Sequence, residues 1–198
     1  MPKCEFCNKV LKTESGYVKH MCEKKKRFVN FNEPAYMVWL MMANIFRNRL
    51  PRNDDEKKIA FVKDSFYNQI VAFTQWVLET EVISLFDYMT FLKNNQVKIT
   101  DWTNSRVYHN WLYAFLKEES DAIAIKRSQD YLTNNGLDLE TISGNRLFLA
   151  IKYGKISNKY LKYRNYNVRD KIDEGQWLEI RPLIITDVVE RMNESLSG

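Results

Sequence analysis

Three cysteines and one of the two histidines of this 198-residue chain lie within nineteen residues near the N-terminus. The positions are Cys4, Cys7, His20 and Cys22. Thiolate and imidazole are ligands that tetrahedral Zn²⁺ prefers, and a Cys-x-x-Cys turn lets two thiolates hold one ion. An odd number of cysteines without a secretory signal does not favour a disulfide framework. The pattern predicts a Zn²⁺ site; the alternative is that these residues pack as small core side chains.

The spacing within the cluster carries further information. Twelve residues separate Cys7 from His20, and Leu11 and Tyr17 stand four and ten residues after Cys7. In these residues the segment 4–20 resembles a ββα zinc finger, whose helix would begin near residues 13–15. A short variant of such a finger, with ligand order Cys-Cys-His-Cys, would include Cys22 as the fourth ligand. The resemblance covers about a tenth of the chain and implies nothing about the rest.

Cys22 departs from the pattern of that family, whose fourth ligand lies at least four residues after the first histidine. Cys22 is only two residues after His20, and positions i and i+2 of an α-helix do not share a face. Cys22 can therefore bind the same ion only if the helix ends near His20 and the chain turns back. Otherwise water or Glu23 is the fourth ligand.

The net charge of +5 is confined to the first basic zone, residues 1–27, because the remaining residues balance. A second basic zone, residues 146–169, contains seven Lys and Arg and no Asp or Glu. Phosphate contacts dominate nucleic-acid affinity, so both zones predict DNA or RNA as a partner. The alternatives are solvated faces and, for residues 24–27, a soluble linker. The candidate contacts in the first zone are Lys19, Lys24, Lys25, Lys26 and Arg27.

The fold class expected is mainly α, with a small ββα-like zinc finger and basic linker at 1–27 and a multi-helix domain at 32–198. Apolar residues recur with helical spacing, and Asn32, Ser84, Thr100 and Ser120 are predicted to cap helices. One long helix is expected after residue 53 and a short strand at 176–181.

The second basic zone also has the spacing of a helix-turn-helix at 144–166. A helix ending at Gly154 is followed by Ser157, which is predicted to cap a second helix; Ala150 matches the small residue of the motif, whereas Lys155 departs from it. The positions expected to be buried are Leu149, Tyr160 and Tyr163. The residues expected to face a nucleic-acid groove are Asn158, Lys159, Lys162 and Arg164. The alternative is a structural hairpin with a solvated basic face.

Several classes of function are not favoured by the sequence. No apolar run reaches the length of a membrane span, so no membrane partner is expected and the expected localisation is cytoplasmic. No catalytic triad, phosphate-binding glycine loop or dinucleotide motif is present, and an enzyme is not expected. His109 is expected to be an ordinary packed or surface histidine.

The sequence thus favours a non-enzymatic zinc-finger nucleic-acid-binding protein, such as an accessory factor in transcription or replication. The alternative is a structural or assembly protein that uses the finger as a protein-docking module. The Lys-, Asn- and Tyr-rich composition is typical of a phage or viral product. Such a product would act in the host cell cytoplasm, or in the virion under the alternative.

Overall fold

A computed structural model describes residues 1–46 and 50–184. These residues are mainly helical, as predicted, with eleven α-helices and no β-strand among them. They divide into two compact units: Met1–Thr80 with Ser84–Thr103, and Glu81–Ile83 with the chain from Asn104 onward. Within the described ranges, no helix has both the length and the apolar character that crossing a bilayer requires.

The first unit contains six of the described α-helices. They are α1 Glu14–Lys19, α2 Glu23–Val29, α3 Glu33–Phe46, α4 Asp54–Lys63, α5 Tyr67–Thr80 and α6 Leu85–Asn94. Helix α3 packs against α5 and α6, and α2 packs against α4. Asn32 caps α3 as predicted, since its Oδ1 accepts a hydrogen bond from the Ala35 amide at 3.0 Å. Ser84 stands at the predicted N-cap position of α6, but its side chain makes no capping hydrogen bond.

Aromatic side chains form much of the core of the first unit. Phe61 is fully buried, and its ring centroid lies 5.7 Å from that of Tyr36 and 5.8 Å from that of Trp39. The ring centroid of Tyr67 lies 5.0 Å from that of Phe61. Tilted aromatic pairs of this kind stabilise a core beyond the area they bury. The cluster therefore ties α3, α4 and the start of α5 together.

The long helix expected after residue 53 is in fact two helices, α4 and α5, because Asp64 interrupts it. The Asp64 carboxylate accepts a hydrogen bond from Trp39 Nε1 at 2.8 Å and another from the Phe66 amide at 2.9 Å. The second bond satisfies an amide at the start of α5, as an N-cap does. The prediction of one long helix was wrong. It rested on local apolar spacing, which does not show that Trp39, 25 residues earlier in the chain, bonds to Asp64.

The second unit contains the other five described α-helices. They are α7 Ser105–Glu118, α8 Asp121–Asn134, α9 Gly144–Lys152, α10 Asn158–Tyr163 and α11 Glu174–Ile184. Helix α10 packs against α8, and α9 packs against α11. Ser120 caps α8 as predicted, whereas Asn104 caps α7 in place of Thr100, with its Oδ1 2.9 Å from the Arg106 amide.

The strand expected at 176–181 was wrong, because these residues lie within α11. Trp177, Ile180 and Ile184 recur with helical spacing, and Ile180 is fully buried. Ile180 belongs to the same apolar core as Leu147 and Ile151 of α9. Packing against α9 thus selects the helix, which a short apolar pattern alone does not distinguish from a strand.

Candidate functional site

A tight turn at the N-terminus places Cys4 and Cys7 next to each other. The Asn8 amide donates to the Cys4 carbonyl at 2.8 Å, and the Cys4 amide donates to the Lys9 carbonyl at 2.9 Å. Asn8 has a φ of 62°, a left-handed conformation in which Asn is enriched among non-glycine residues. The turn therefore directs both sulfurs toward the same region.

The chain after this turn forms a short helix and leaves it at His20. Thr13 Oγ1 accepts a hydrogen bond from the Gly16 amide at 3.0 Å and so caps α1. Helix α1 ends at Lys19, the backbone of His20 is extended, and Cys22 is the N-cap residue of α2. The helix thus ends where it must if Cys22 is to join the other ligands.

The N-terminal module shares only part of the ββα pattern. Among its described residues there is no strand, and a single antiparallel bridge joins Lys3 to Val10. Of the two apolar positions expected in its small core, Leu11 is half-buried, whereas Tyr17 is exposed. The ligand spacing and the helix are therefore what the module has in common with that family.

The four candidate ligands come together as the sequence predicts. One donor atom from each of Cys4, Cys7, His20 and Cys22 lies within 4.8 Å of every other. Cys4 Sγ is 3.9 Å from Cys22 Sγ, and Cys7 Sγ is 3.2 Å from His20 Nε2. All three cysteines are free, and a disulfide would require sulfurs about 2.05 Å apart.

The separation of Cys4 Sγ and Cys22 Sγ fits two ligands of one tetrahedral Zn²⁺ ion. Zn–S bonds of about 2.3 Å give sulfur–sulfur distances of about 3.8 Å, and a sulfur–nitrogen pair lies slightly closer. The distance of 3.9 Å between Cys4 and Cys22 agrees with the first value. The group can therefore hold one metal ion, and three sulfurs with one imidazole are a donor set consistent with zinc.

The surroundings of the sulfurs shift two pKa values in opposite directions. Burial raises the pKa of Cys4, but hydrogen bonds from the Cys7 and Phe6 backbone and from neighbouring sulfurs outweigh it, so the pKa lies below its usual value. The Lys9 backbone favours the Cys7 thiolate, but burial and the sulfurs of Cys4 and Cys22 raise the pKa of Cys7. Clustered thiolates repel one another, and a bound divalent cation offsets that repulsion.

Phe6 packs beside the four candidate ligands, and it was not among the residues predicted from the sequence. Its side chain is buried, with 6% of its surface exposed, and its ring centroid lies 5.2 Å from that of Phe28 in α2. The contact joins the turn that carries Cys4 and Cys7 to the helix that follows Cys22. An apolar residue inside an otherwise polar Cys-x-x-Cys turn is the signal that would have identified it.

Four lysines of the first basic zone lie close in sequence to the metal cluster. Lys19 and Lys26 are exposed, while Lys24 and Lys25 are half-buried. Within the described ranges none of these four forms an ion pair with a carboxylate. Lys24, Lys25 and Lys26 belong to α2, which begins directly after Cys22. The residues considered as a linker are therefore helical.

Arg27 has a different environment from these lysines. Its guanidinium carbon lies 4.3 Å from the ring centroid of Tyr67, and its Nη2 donates to Asn68 Oδ1 at 3.4 Å. Its Nε lies 3.5 Å from the carboxylate of Glu23 on the same helix. A guanidinium stacked on an aromatic face stabilises packing as well as carrying charge. Arg27 thus attaches α2 to the start of α5.

In the second basic zone, the predicted pair of helices is present. Helix α9 ends at Lys152, and Gly154 turns the chain with a φ of 75°. Ser157 Oγ accepts a hydrogen bond from the Tyr160 amide at 3.2 Å and starts α10. Residues 144–163 therefore form two consecutive helices joined by a turn at the predicted position, and each packs mainly on another helix, α9 on α11 and α10 on α8.

The buried positions of this pair of helices differ from those of a helix-turn-helix. Tyr160 is buried, as expected. Leu149 is 40% exposed and Tyr163 is 64% exposed, so the expectation for these two residues was wrong. Ile156 and Leu161 fill the core instead. Because the apolar residue after the turn comes one position late, α10 presents a different face to α8.

Carboxylates from other parts of the second unit neutralise much of the second basic zone. The ion pairs are Lys152 with Glu179, Lys155 with Glu81, Lys159 with Asp121, and Arg169 with Glu174. Burial lowers the pKa of Lys155, and Glu81 partly opposes that effect. The zone is therefore less positive than its sequence alone indicates.

The four candidate groove residues of α10 fall into two pairs. The Asn158 amide donates to the Ile184 carbonyl at 2.6 Å. Lys159 Nζ lies 3.0 Å from Asp121 and also donates to the Glu119 carbonyl. Lys162 and Arg164 are exposed. Asn158 and Lys159 thus make contacts within the unit, and Lys162 and Arg164 lie at its surface.

Comparisons with protein-family models, curated proteins and solved structures give no match. Across the described ranges, the Cys4 cluster is the one group of at least three His, Cys, Asp or Glu residues close enough to hold a metal ion. His109 lies outside it and donates from Nδ1 to the Ser105 carbonyl at 2.7 Å.

Proposed function

We propose that Cys4, Cys7, His20 and Cys22 bind one zinc ion in a short variant of the ββα finger. The observation that carries this proposal is the convergence of three sulfurs and one imidazole nitrogen within 4.8 Å. Bound zinc would join the N-terminal turn, the end of α1 and the start of α2, and would stabilise a segment with little apolar core of its own.

The metal content of the purified protein tests this assignment. Protein prepared without chelators should contain one zinc per chain, measured by elemental analysis. Cys22→Ser should weaken zinc binding, whereas Glu23→Gln should leave it unchanged, because Cys22 rather than Glu23 completes the cluster. Absence of zinc from the wild-type protein, or loss of binding in Glu23→Gln alone, would contradict the ligand set.

The zinc module serves a non-enzymatic nucleic-acid-binding protein, an accessory factor in transcription or replication. The support is the position of Lys19, Lys24, Lys25 and Lys26, which flank the cluster without carboxylate partners among the described residues. Unneutralised lysines on a small folded module contact phosphate without requiring a particular sequence. Zinc would fix the start of the helix that carries three of them.

A mobility-shift assay at about 50 and 200 mM salt tests nucleic-acid binding. Labelled duplex DNA, single-stranded DNA and RNA should all bind at the lower salt and lose affinity at the higher salt, because counterions are released on binding. If none of the three probes binds at the lower salt, the proposed nucleic-acid-binding function is wrong.

A second candidate function, protein docking, is favoured by exposed apolar side chains on the same module. Val18 is 73% exposed, Met21 is 48% exposed and Val10 is 53% exposed. Apolar side chains at the surface of a small module are typical of a protein-binding face. If the mobility-shift assay fails while zinc is present, the module becomes a docking element of a structural or assembly protein.

A further inference from the structure

The second unit contains a cavity that is not part of the proposed metal site. It lies between α10, the 3-10 turn Val168–Asp170 and α11, and its volume is about 300 Å³. This volume is at the lower end of the range for small-molecule pockets, about 300–1,000 Å³, and suits one ring system.

The floor and one wall of the cavity are apolar. Leu161 and Val168 line it and are almost fully buried, and the half-buried indole of Trp177 forms a wall. The guanidinium carbon of Arg169 lies 4.8 Å from the Trp177 ring centroid. An aromatic ring backed by a guanidinium group is a platform on which nucleobases stack.

Two amide side chains that line the cavity, Asn158 and Asn165, can form hydrogen bonds with the edge of a nucleobase. The Asn158 amide uses one hydrogen to donate to the Ile184 carbonyl at 2.6 Å, which fixes its orientation and leaves its oxygen as an acceptor. Asn165 lines the cavity, is exposed and makes no side-chain hydrogen bond to another described residue. An amide that offers both a donor and an acceptor suits the hydrogen-bonding edge of a base.

Two further polar side chains of the cavity, Tyr166 and Asn167, form hydrogen bonds within the unit. The Tyr166 hydroxyl donates to the Leu139 carbonyl at 2.8 Å. The Asn167 amide donates to Asp170 Oδ1 at 2.9 Å and accepts from the Arg169 amide at 3.3 Å. Among the amide side chains of the cavity, Asn158 and Asn165 thus retain hydrogen-bonding capacity toward a ligand. Lys162 of α10 is exposed and also lines the cavity, and a lysine at this position can contact phosphate.

We propose that this cavity binds one unpaired nucleobase, stacked on Trp177, with its edge bonded by Asn158 and Asn165. The inference rests on the proposed nucleic-acid function and adds to it a contact that only single strands can make. A paired base has its hydrogen-bonding edge occupied and its faces stacked, so duplex DNA cannot enter. Helix α10 then contributes a wall of a base pocket instead of being inserted into a groove.

The test compares three probes on the full-length protein: a nucleoside monophosphate, a mixed-sequence single-stranded oligonucleotide and the matching duplex. Trp177→Leu should weaken single-strand binding at least about fivefold, the low end of base-stacking losses, and leave duplex binding unchanged. Trp177→Phe, which keeps a ring and a similar packing volume, should retain most of the affinity. Asn165→Ala should change the order of affinity among the four homo-oligonucleotides. Tyr113→Leu is the matched control, because Tyr113 is an exposed aromatic residue outside this cavity.

The outcomes separate this inference from the proposed function. Single-strand binding that is equal in wild type and in both Trp177 variants, with circular dichroism showing folded protein, would overturn the base pocket and leave nucleic-acid binding intact. Monophosphate binding that is lost in Trp177→Leu, without binding of any polymer, would support the pocket and overturn the nucleic-acid function. Binding of no probe at all would overturn both.

Discussion

At the scale of single residues, the metal ligands have the largest expected effect. Cys7→Ser should abolish stoichiometric zinc binding, because one of four clustered donors is lost. Residues 1–22 should then lose protection in hydrogen exchange measured by mass spectrometry, while residues 104–184 keep theirs. Ser15→Ala, at an exposed position in α1, is the control. Loss of protection throughout residues 32–184 would show that the N-terminal module is not separable from the helical body.

Arg127 of the second unit forms an ion pair with the buried side chain of Glu119 and hydrogen bonds to two backbone carbonyls. Its guanidinium donates to Glu119, with Nη2 2.6 Å from Oε2, and to the carbonyls of Gly154 and Lys155. The Glu119 side chain is only 4% exposed. Removing one partner of a buried ion pair leaves an uncompensated charge.

Arg127→Met should therefore lower the free energy of unfolding by about 3–5 kcal/mol in urea denaturation. Lys126→Met, which breaks the exposed pair with Asp130, should change it by no more than about 0.5 kcal/mol. The double variant Glu119→Gln with Arg127→Met should recover part of the loss. Equal effects of Lys126→Met and Arg127→Met would refute a structural role for the buried pair.

At the scale of elements, the turn between α9 and α10 depends on Gly154. Its φ is 75°, and a Cβ there would lie 2.6 Å from Leu112 Cδ1. Gly136, which follows α8, has a φ of 60°, but a Cβ there meets no atom within 4 Å. The two glycines therefore separate backbone strain from steric overlap.

Gly136→Ala should cost about 1–2 kcal/mol of unfolding free energy, the cost of a left-handed alanine. Gly154→Ala should cost about 1–3 kcal/mol more, because Leu112 must also move. Denaturant titration of both variants measures the difference. Similar losses would mean that the core around Leu112 accommodates the extra methyl group.

At the scale of the whole molecule, nucleic-acid binding should depend on where the charge lies rather than on its total. Changing Lys24, Lys25 and Lys26 together to Gln lowers the net charge from +5 to +2. For duplex DNA, the slope of log K against log[salt] should become less steep by about 0.9 for each phosphate that the lysines no longer neutralise. Affinity should fall alike for all sequences, because phosphate contacts carry no sequence information.

The control is a triple change of Lys57, Lys98 and Lys126 to Gln, which lowers the net charge equally at positions outside both basic zones. Its salt slope should match that of the wild type. Arg27→Lys should also keep the slope, since the charge remains, while losing the stack on Tyr67. If both triple variants flatten the slope equally, the protein responds to net charge and the first basic zone is not a binding surface.

The features that the sequence determined by itself are local. The ligand spacing of Cys4, Cys7 and His20 identified the metal cluster, and Ser120 and Ser157 marked the helix starts that the structure contains. Ligand spacing and helix caps act across a few neighbouring residues, so they can be recognised without knowing which elements pack together. The mainly helical fold follows from the same kind of signal, repeated along the chain.

Only the tertiary structure decided which distant side chains meet. Trp39 meets Asp64 and breaks a predicted helix, and Glu81 meets Lys155 and removes charge from a predicted basic face. The cavity beside Trp177 likewise exists only where α10 and α11 come together. These partners are tens of residues apart, and their proximity results from burying a shared core. Local spacing carries no record of that burial, and so the sequence could not determine the partners.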